Sequence, residues 1–168
     1  MVTLVHNSMN PVSVSEDGDE EIIVVQVDIG NEKVRLINGY GPQEDNGDKE
    51  KGEAVLAFYA KLDLGVKKAK MAGALVCIEM DANSKLGPEM IPNDPKPITN
   101  NGKVLKAFVE ENDLVVVNGS NLCQGVITRY RKTVNSEEKS VIDFFVVCRK
   151  LFFQKLKNSQ LMKNVIML

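Results

Sequence analysis

Residues 74–83 read ALVCIEMDAN, and this stretch decides the fold class. Residues 74–80 are nearly all apolar, and they are followed at once by Asp81 and two positions later by Asn83. A short apolar run that ends in polar turn residues predicts a strand buried on both faces. Such a strand needs a layer packed against each face, which favours an α/β architecture.

The segments before this strand predict a hairpin and a helix. Residues 21–29 (EIIVVQVDI) and 33–39 (KVRLING) are strand-like and are separated by the turn signal Gly30-Asn31. Residues 53–72 carry apolar side chains at helical spacing, although Gly65 weakens the prediction of one unbroken helix. We expect a further short strand at 2–6 and a solvated loop at 7–21.

The segments after it predict alternating elements of both kinds. Residues 81–101 contain four prolines and predict an irregular loop, and 103–112 predict a short amphipathic helix. Residues 114–117 predict a second buried strand, and 126–132 and 141–147 predict a further pair of strands. The strand-like run at 161–168 ends the chain, which leads us to expect a domain cut at both ends.

Composition fits one soluble domain. The chain has 168 residues, of which 43% are hydrophobic and 26% charged, with a formal net charge of −2. The charge is uneven, because residues 126–168 hold nine basic and three acidic side chains. A basic C-terminal quarter is compatible with a phosphate-bearing partner and also with a solvated face.

The cysteine and histidine counts exclude a usual zinc site. The three cysteines are far apart, and His6 is the single histidine. An odd cysteine count without a signal peptide predicts an intracellular location, nuclear or cytoplasmic. No apolar run approaches the ~20 residues that a membrane span needs, so we expect no membrane partner.

Polar side chains follow several predicted strands. They stand at Tyr40, at Asp81 and Asn83, at Asn118, and at Asp143 inside an apolar strand. Ligands of α/β folds bind outside the C-terminal ends of strands, so these side chains are expected to converge. A carboxylate beside a carboxamide suits phosphodiester cleavage, because the acid binds Mg²⁺ or orients water while the amide contacts phosphate.

An ordered set of motifs resembles the endonuclease/exonuclease/phosphatase superfamily. The motifs are GYGPQ (39–43), MDANSKLG (80–87), TNNGKVLKAFVEENDLVVVN (99–118), ITR (127–129) and SVIDFFVV (140–147). The set is most similar to the endonuclease domain of non-LTR retrotransposons. The resemblance implies an α/β sandwich with mixed, mostly antiparallel sheets flanked by helices. It also implies Mg²⁺-dependent cleavage of DNA, with Mn²⁺ as an alternative metal.

The resemblance also implies roles for individual residues. Tyr40 would contact the scissile phosphate, Asp81 and Asn83 would bind metal or water, and Asp143 would orient a catalytic histidine. Thr128 and Arg129 would lie on a loop that faces DNA. Asn118 is a further candidate for substrate contact, on the ground of its place at the end of a predicted strand.

The sequence departs from the family pattern in several places. The family's Ser-Asp-His segment and its first metal-binding glutamate have no counterpart, Met80 replaces a glycine, and Gln43 replaces an asparagine. We therefore expect one partial domain over residues 1–168 with impaired cleavage.

Other interpretations stay open at this point. Asp81 is compatible with a simple turn, Tyr40 with a strand-end tyrosine, and Asn118 with a strand-ending cap. The whole chain is compatible with an inactive remnant that binds nucleic acid or protein, or with a phosphatase-like relative. Exposed sheet edges predict self-association.

Overall fold

A mixed six-stranded sheet forms the centre of the chain in the computed structural model. The structure describes residues 3, 5–13, 21–44, 47–92, 94–120, 123, 127–132 and 136–153. The strands are Val12–Ser13 (β1), Ile22–Ile29 (β2), Glu32–Tyr40 (β3), Leu75–Asp81 (β4), Leu114–Val116 (β5), Arg129–Lys132 (β6), Glu137–Ser140 (β7) and Asp143–Cys148 (β8). The helices are Lys49–Met71 (α1), Asn100–Glu111 (α2) and the three-residue Arg149–Leu151 (α3), and 3-10 turns span Asn7–Met9 and Val117–Gly119.

The order of strands across the sheet is β1-β2-β3-β4-β8-β5. Neighbouring strands run antiparallel except β3 and β4, which run parallel and are joined through α1. Strands β6 and β7 form a separate antiparallel hairpin. The expected α/β fold with mixed, mostly antiparallel pairing is confirmed.

Helix α1 is unbroken and begins earlier than the spacing of apolar residues predicts. Asp48 caps it, because its carboxylate accepts hydrogen bonds from the backbone N–H groups of Glu50 and Lys51. Gly65 lies inside the helix, where a methyl group in its place would meet the Ile37 side chain at an ordinary 3.6 Å. Tertiary packing of the buried face therefore maintains the helix through this weak position.

The two faces of the sheet differ in what covers them. Both long helices pack on one face, and their buried side chains join those of the sheet in one cluster that includes Phe58, Leu62, Ile78 and Leu105. A row of apolar side chains crosses the other face through five paired strands: Val25, Leu36, Cys77, Val147 and Val115.

The predicted strands at 126–132 and 141–147 are met by β6 and β8, which lie in different sheets, because β6 pairs with β7 while the apolar β8 lies between β4 and β5. The prediction of a strand at 2–6 is wrong. Residues 3, 5 and 6 are not in a strand, and β1 falls inside the predicted loop at 7–21. His6 turns the chain here, since its ring accepts a hydrogen bond from the Ser8 backbone N–H. The predicted strand at 161–168 lies outside the described residues.

Candidate active site

Three predicted site residues lie side by side across the sheet. Tyr40 at the end of β3 is paired with Asp81 at the end of β4, and Asp81 is paired with Asp143 at the start of β8. Paired residues of neighbouring strands point to the same face. Tyr40 is 52% exposed, and both aspartates are half-buried. The phenol and the two carboxylates therefore form one polar row, Tyr40–Asp81–Asp143, across the ends of three inner strands of the sheet, where Tyr40 is open to solvent.

The Asp81 carboxylate lies in an unfavourable environment for its charge. Burial raises its pKa above the usual range, and the negative charge of Asp143 raises it further. The hydrogen bond from the Asn83 backbone N–H and the positive charge of Arg129 act in the opposite direction. Two carboxylates that repel each other at one edge attract a cation.

Asn83 joins the loops that follow β3 and β4. Its backbone is left-handed, with φ of 44°, and its N–H donates to Asp81 Oδ1 at 3.0 Å. Its Nδ2 donates to the Gly41 carbonyl at 2.9 Å, while the Gly41 N–H donates to the Asp81 carbonyl at 2.7 Å. The backbones approach so closely that a Cβ on Gly41 would lie 3.1 Å from the Ala82 oxygen. Tyr40 and Asp81 are thus held in a fixed relation through their own backbones.

Asn118 and Thr128 reach the same site from two further elements. The Asn118 carboxamide lies in the 3-10 turn after β5 and bonds to the backbone of Asp143 and Phe145. The Thr128 hydroxyl precedes β6 and accepts hydrogen bonds from the backbone N–H groups of Ile142 and Asp143. Both side chains, expected to contact substrate, are thus engaged with the protein backbone. Their contact with substrate stays a prediction.

Arg129 is exposed and is the first residue of β6 in the β6–β7 hairpin. Its positive charge acts against the rise in the Asp81 pKa, and it adds to the effect of Lys85 and Lys96, which lower the pKa of Glu138. Glu138 of β7 forms ion pairs with Lys85 at 3.6 Å and Lys96 at 3.8 Å. These pairs attach the hairpin to the loop that follows β4.

Two solved structures share this arrangement of strands and helices. The chain superposes on the endonuclease domain of TRAS1, a telomere-specific non-LTR retrotransposon, with a TM-score of 0.58 and 15% sequence identity over 88% of this chain and 59% of that one. It superposes on the 3'-5' exonuclease NExo from Neisseria meningitidis with a TM-score of 0.59 and 14% identity over 83% of this chain and 58% of that one. The fold is that of the endonuclease/exonuclease/phosphatase proteins.

Identity of 15% or less shows this fold and leaves the activity open. The chain spans just under three fifths of the length of either structure. No protein-family model matches the sequence. No curated protein matches it either. Among the described residues, no helix is long and apolar enough to cross a membrane.

The two carboxylates of the polar row have the chemistry to bind a magnesium ion. Within the described parts of the chain, no group of three or more His, Cys, Asp or Glu side chains is arranged to hold a metal. Mg²⁺, however, often binds through one or two carboxylates while substrate phosphates and water complete its shell. Asp81 and Asp143 supply two carboxylates whose mutual repulsion a cation would relieve. The role of Asn83 as a metal ligand stays a prediction.

Glu79 lies next to the site, although its position in the sequence assigned it no role. It is two residues before Asp81, points to the same face, and is paired with Asn38 and Phe145. Burial raises the pKa of its carboxyl group. The alternation of side chains along β4 already predicts that residues 79 and 81 share a face, and burial of the carboxyl group is what the structure adds.

Proposed function

We propose that this chain is part of a metal-dependent endonuclease that hydrolyses phosphodiester bonds of DNA and nicks it as retrotransposon endonucleases do. The observation that carries the proposal is the polar row Tyr40–Asp81–Asp143, with Asn83 bonded to its centre. The superposition on a retrotransposon endonuclease domain and on an exonuclease supports the same class of reaction.

Each residue of the row has a role that its chemistry allows. The Tyr40 hydroxyl donates a hydrogen bond to a non-bridging phosphate oxygen. The Asp81 carboxylate accepts a hydrogen bond from the attacking water and orients it toward phosphorus. Arg129 attracts the phosphodiester backbone to this edge. A Mg²⁺ ion held by Asp81 and Asp143 would supply charge neutralisation at the phosphate.

A second candidate function is DNA binding without cleavage. The single histidine, His6, bonds through Nδ1 to the Ser8 hydroxyl at 2.8 Å in the turn before β1. It is therefore engaged away from Asp143, the residue that the family resemblance pairs with a catalytic histidine. The β6–β7 hairpin still presents Arg129, Arg131 and Lys132 to solvent, which suits a phosphate backbone.

Nicking of supercoiled plasmid in Mg²⁺ or Mn²⁺ tests the proposal. Asp81→Asn is compared with Asp28→Asn, which makes the same change of charge at an exposed position near the far end of β2. We expect Asp81→Asn to lower the nicking rate at least 100-fold and Asp28→Asn to leave it unchanged. Equal nicking by the two variants would overturn the assignment of the site.

The binding candidate is separated by a parallel measurement of DNA affinity at several salt concentrations. Affinity that falls steeply with salt, together with no nicking in either metal, would establish the binding function instead. Self-association through sheet edges stays a prediction, which sedimentation of the same sample tests.

A further inference from the structure

The backbone of Asp143 is held by side chains from two different segments. Its N–H donates to Thr128 Oγ1 at 3.1 Å, and its carbonyl accepts from Asn118 Nδ2 at 3.1 Å. The neighbouring N–H groups are bonded to the same two side chains, Ile142 to Thr128 at 3.0 Å and Phe145 to Asn118 at 2.8 Å. Four backbone groups at the start of β8 are thus satisfied by two side chains.

The Asn118 carboxamide takes the place of strand pairing where β5 ends. Val116, the last residue of β5, pairs with Val146, and the chain then turns away. The orientation of the carboxamide is fixed by its partners, because the Phe145 N–H only donates and the Asp143 carbonyl only accepts. Neither a hydrocarbon nor a carboxylate of the same size makes both bonds.

The Thr128 hydroxyl joins the β6–β7 hairpin to the same point. It accepts two backbone hydrogen bonds, while the Thr128 N–H donates to the Ser140 carbonyl at 3.1 Å. Strand β7 ends at Ser140 and β8 begins at Asp143, so the segment between them has to change direction. By binding the N–H groups of Ile142 and Asp143, the Thr128 hydroxyl fixes this change of direction at the residue that carries the carboxylate and at the one before it.

We propose that Asn118 and Thr128 are positioning residues that hold the Asp143 carboxylate in line with Asp81. Asp143 is the first residue of β8, and within the part of the chain that the structure describes strand pairing reaches it only from β4. A strand end with pairing on one side frays readily. The two side chains supply the missing contacts on both backbone groups of Asp143. The expected loss of catalysis in variants of Asn118 and Thr128 rests on the proposed nuclease function. The expected order of the Asp143 backbone is independent of that function.

Amide hydrogen exchange measured by NMR tests the fixed backbone directly. We expect Thr128→Val to speed exchange of the Ile142 and Asp143 amides, and Asn118→Leu that of Phe145, by roughly 5- to 10-fold each. Thr128→Ser keeps the hydroxyl and should restore the protection of the first two. In the wild-type chain the Asp143 amide should already be as protected as those inside β8, and this readout needs no variant.

Thr99→Val is the matched control. The Thr99 hydroxyl also accepts two backbone hydrogen bonds, from Lys85 at 3.1 Å and Gly102 at 3.3 Å, at the start of α2. The same chemical change there should leave the exchange rates of the Asp143 and Phe145 amides unaltered, once any change in the free energy of global unfolding has been subtracted. Wild-type exchange at Asp143 as fast as in an unfolded chain would overturn the proposal.

Nicking kinetics separate positioning from contact with substrate. Positioning predicts a kcat lowered about 10- to 100-fold in Thr128→Val and Asn118→Leu, an unchanged KM, and recovery in Thr128→Ser. A raised KM with unchanged kcat and unchanged exchange would overturn the proposal in favour of substrate contact. If the wild-type chain does not nick DNA, the proposed function fails, and the exchange data still decide whether the two side chains hold Asp143.

Discussion

Replacing Gly102 by alanine should destabilise the protein, although such a change inside a helix ordinarily stabilises it. Gly102 lies in the first turn of α2, and a Cβ there would stand only 2.0 Å from the Lys85 carbonyl oxygen. The backbones therefore have to separate by more than an ångström. Two hydrogen bonds join these segments, from the Thr99 N–H to the Lys85 carbonyl and from the Lys85 N–H to Thr99 Oγ1. A third, from the Gly102 N–H to the same Thr99 hydroxyl, caps the start of α2, and the shift of Gly102 would break it as well.

The magnitude follows from these three bonds. Each contributes about 1 kcal/mol net, so their loss costs about 3 kcal/mol. The helix propensity of alanine returns about 1 kcal/mol, which leaves a net destabilisation of about 2 kcal/mol. Gly65→Ala is the matched control, because its Cβ meets the nearest atom at 3.6 Å. That change should stabilise the protein by about 0.5–1 kcal/mol.

Urea unfolding followed by circular dichroism measures both variants against wild type. A lower midpoint for Gly102→Ala and a higher midpoint for Gly65→Ala, with unchanged slopes, is the expected outcome. A Gly102→Ala protein at least as stable as Gly65→Ala would show that the contact between α2 and the loop after β4 is not rigid. Backbone contact at Gly102 would then not determine the stability of the variant.

Three other substitutions test the site more locally. Gly41→Ala should destabilise the protein by about 1–2 kcal/mol and lower the nicking rate, because its Cβ would press on the Ala82 backbone. Urea unfolding measures the stability, and the plasmid assay measures the nicking rate. In EDTA, Asp81→Asn should be slightly more stable than wild type at pH 7, because the raised pKa of Asp81 in the folded protein means that folding favours the protonated acid. The stability of the wild type therefore falls as the pH rises above about 3.9, the pKa of an unperturbed aspartate. A gain in stability of the variant that persists at pH 3 would contradict this. Arg129→Gln should reduce the slope of the logarithm of the DNA-binding constant against the logarithm of the salt concentration by about one unit. Arg149→Gln is the control, because it breaks a surface ion pair with Asp113 and should leave the slope unchanged. Equal slopes for the two variants would argue against Arg129 as a phosphate contact.

Local pattern was sufficient to predict the elements that hold the centre of the site. The strands 21–29 and 33–39, with Gly30 between them, agree with β2 and β3 because alternation and turn chemistry are properties of neighbouring residues. The apolar run 74–80 agrees with β4 for the same reason. The start of α1 was missed, because its first turn is polar and only the cap Asp48 marks it.

Pairing between distant segments was not available from local pattern. The segment 141–147 was correctly predicted as a buried strand, but its partners β4 and β5 are fixed by the burial of the whole sheet. The same limit applies to Asn118 and Thr128. Their polarity indicated a site, whereas the backbone groups that they bind lie 14 or more residues away along the chain.

The central place of β8 also has a consequence for how the chain folds. Strands β3 and β4 and helix α1 complete a compact unit by Asp81, yet the second edge of β4 stays open until residues 143–148 arrive. A loop of some sixty residues must close for this pairing, which slows folding relative to the local hairpin. During synthesis, the nascent chain therefore passes through a stage in which the apolar β4 offers a free edge to other chains. Only the arrival of β8 closes that edge, and the same event brings Asp143 alongside Asp81.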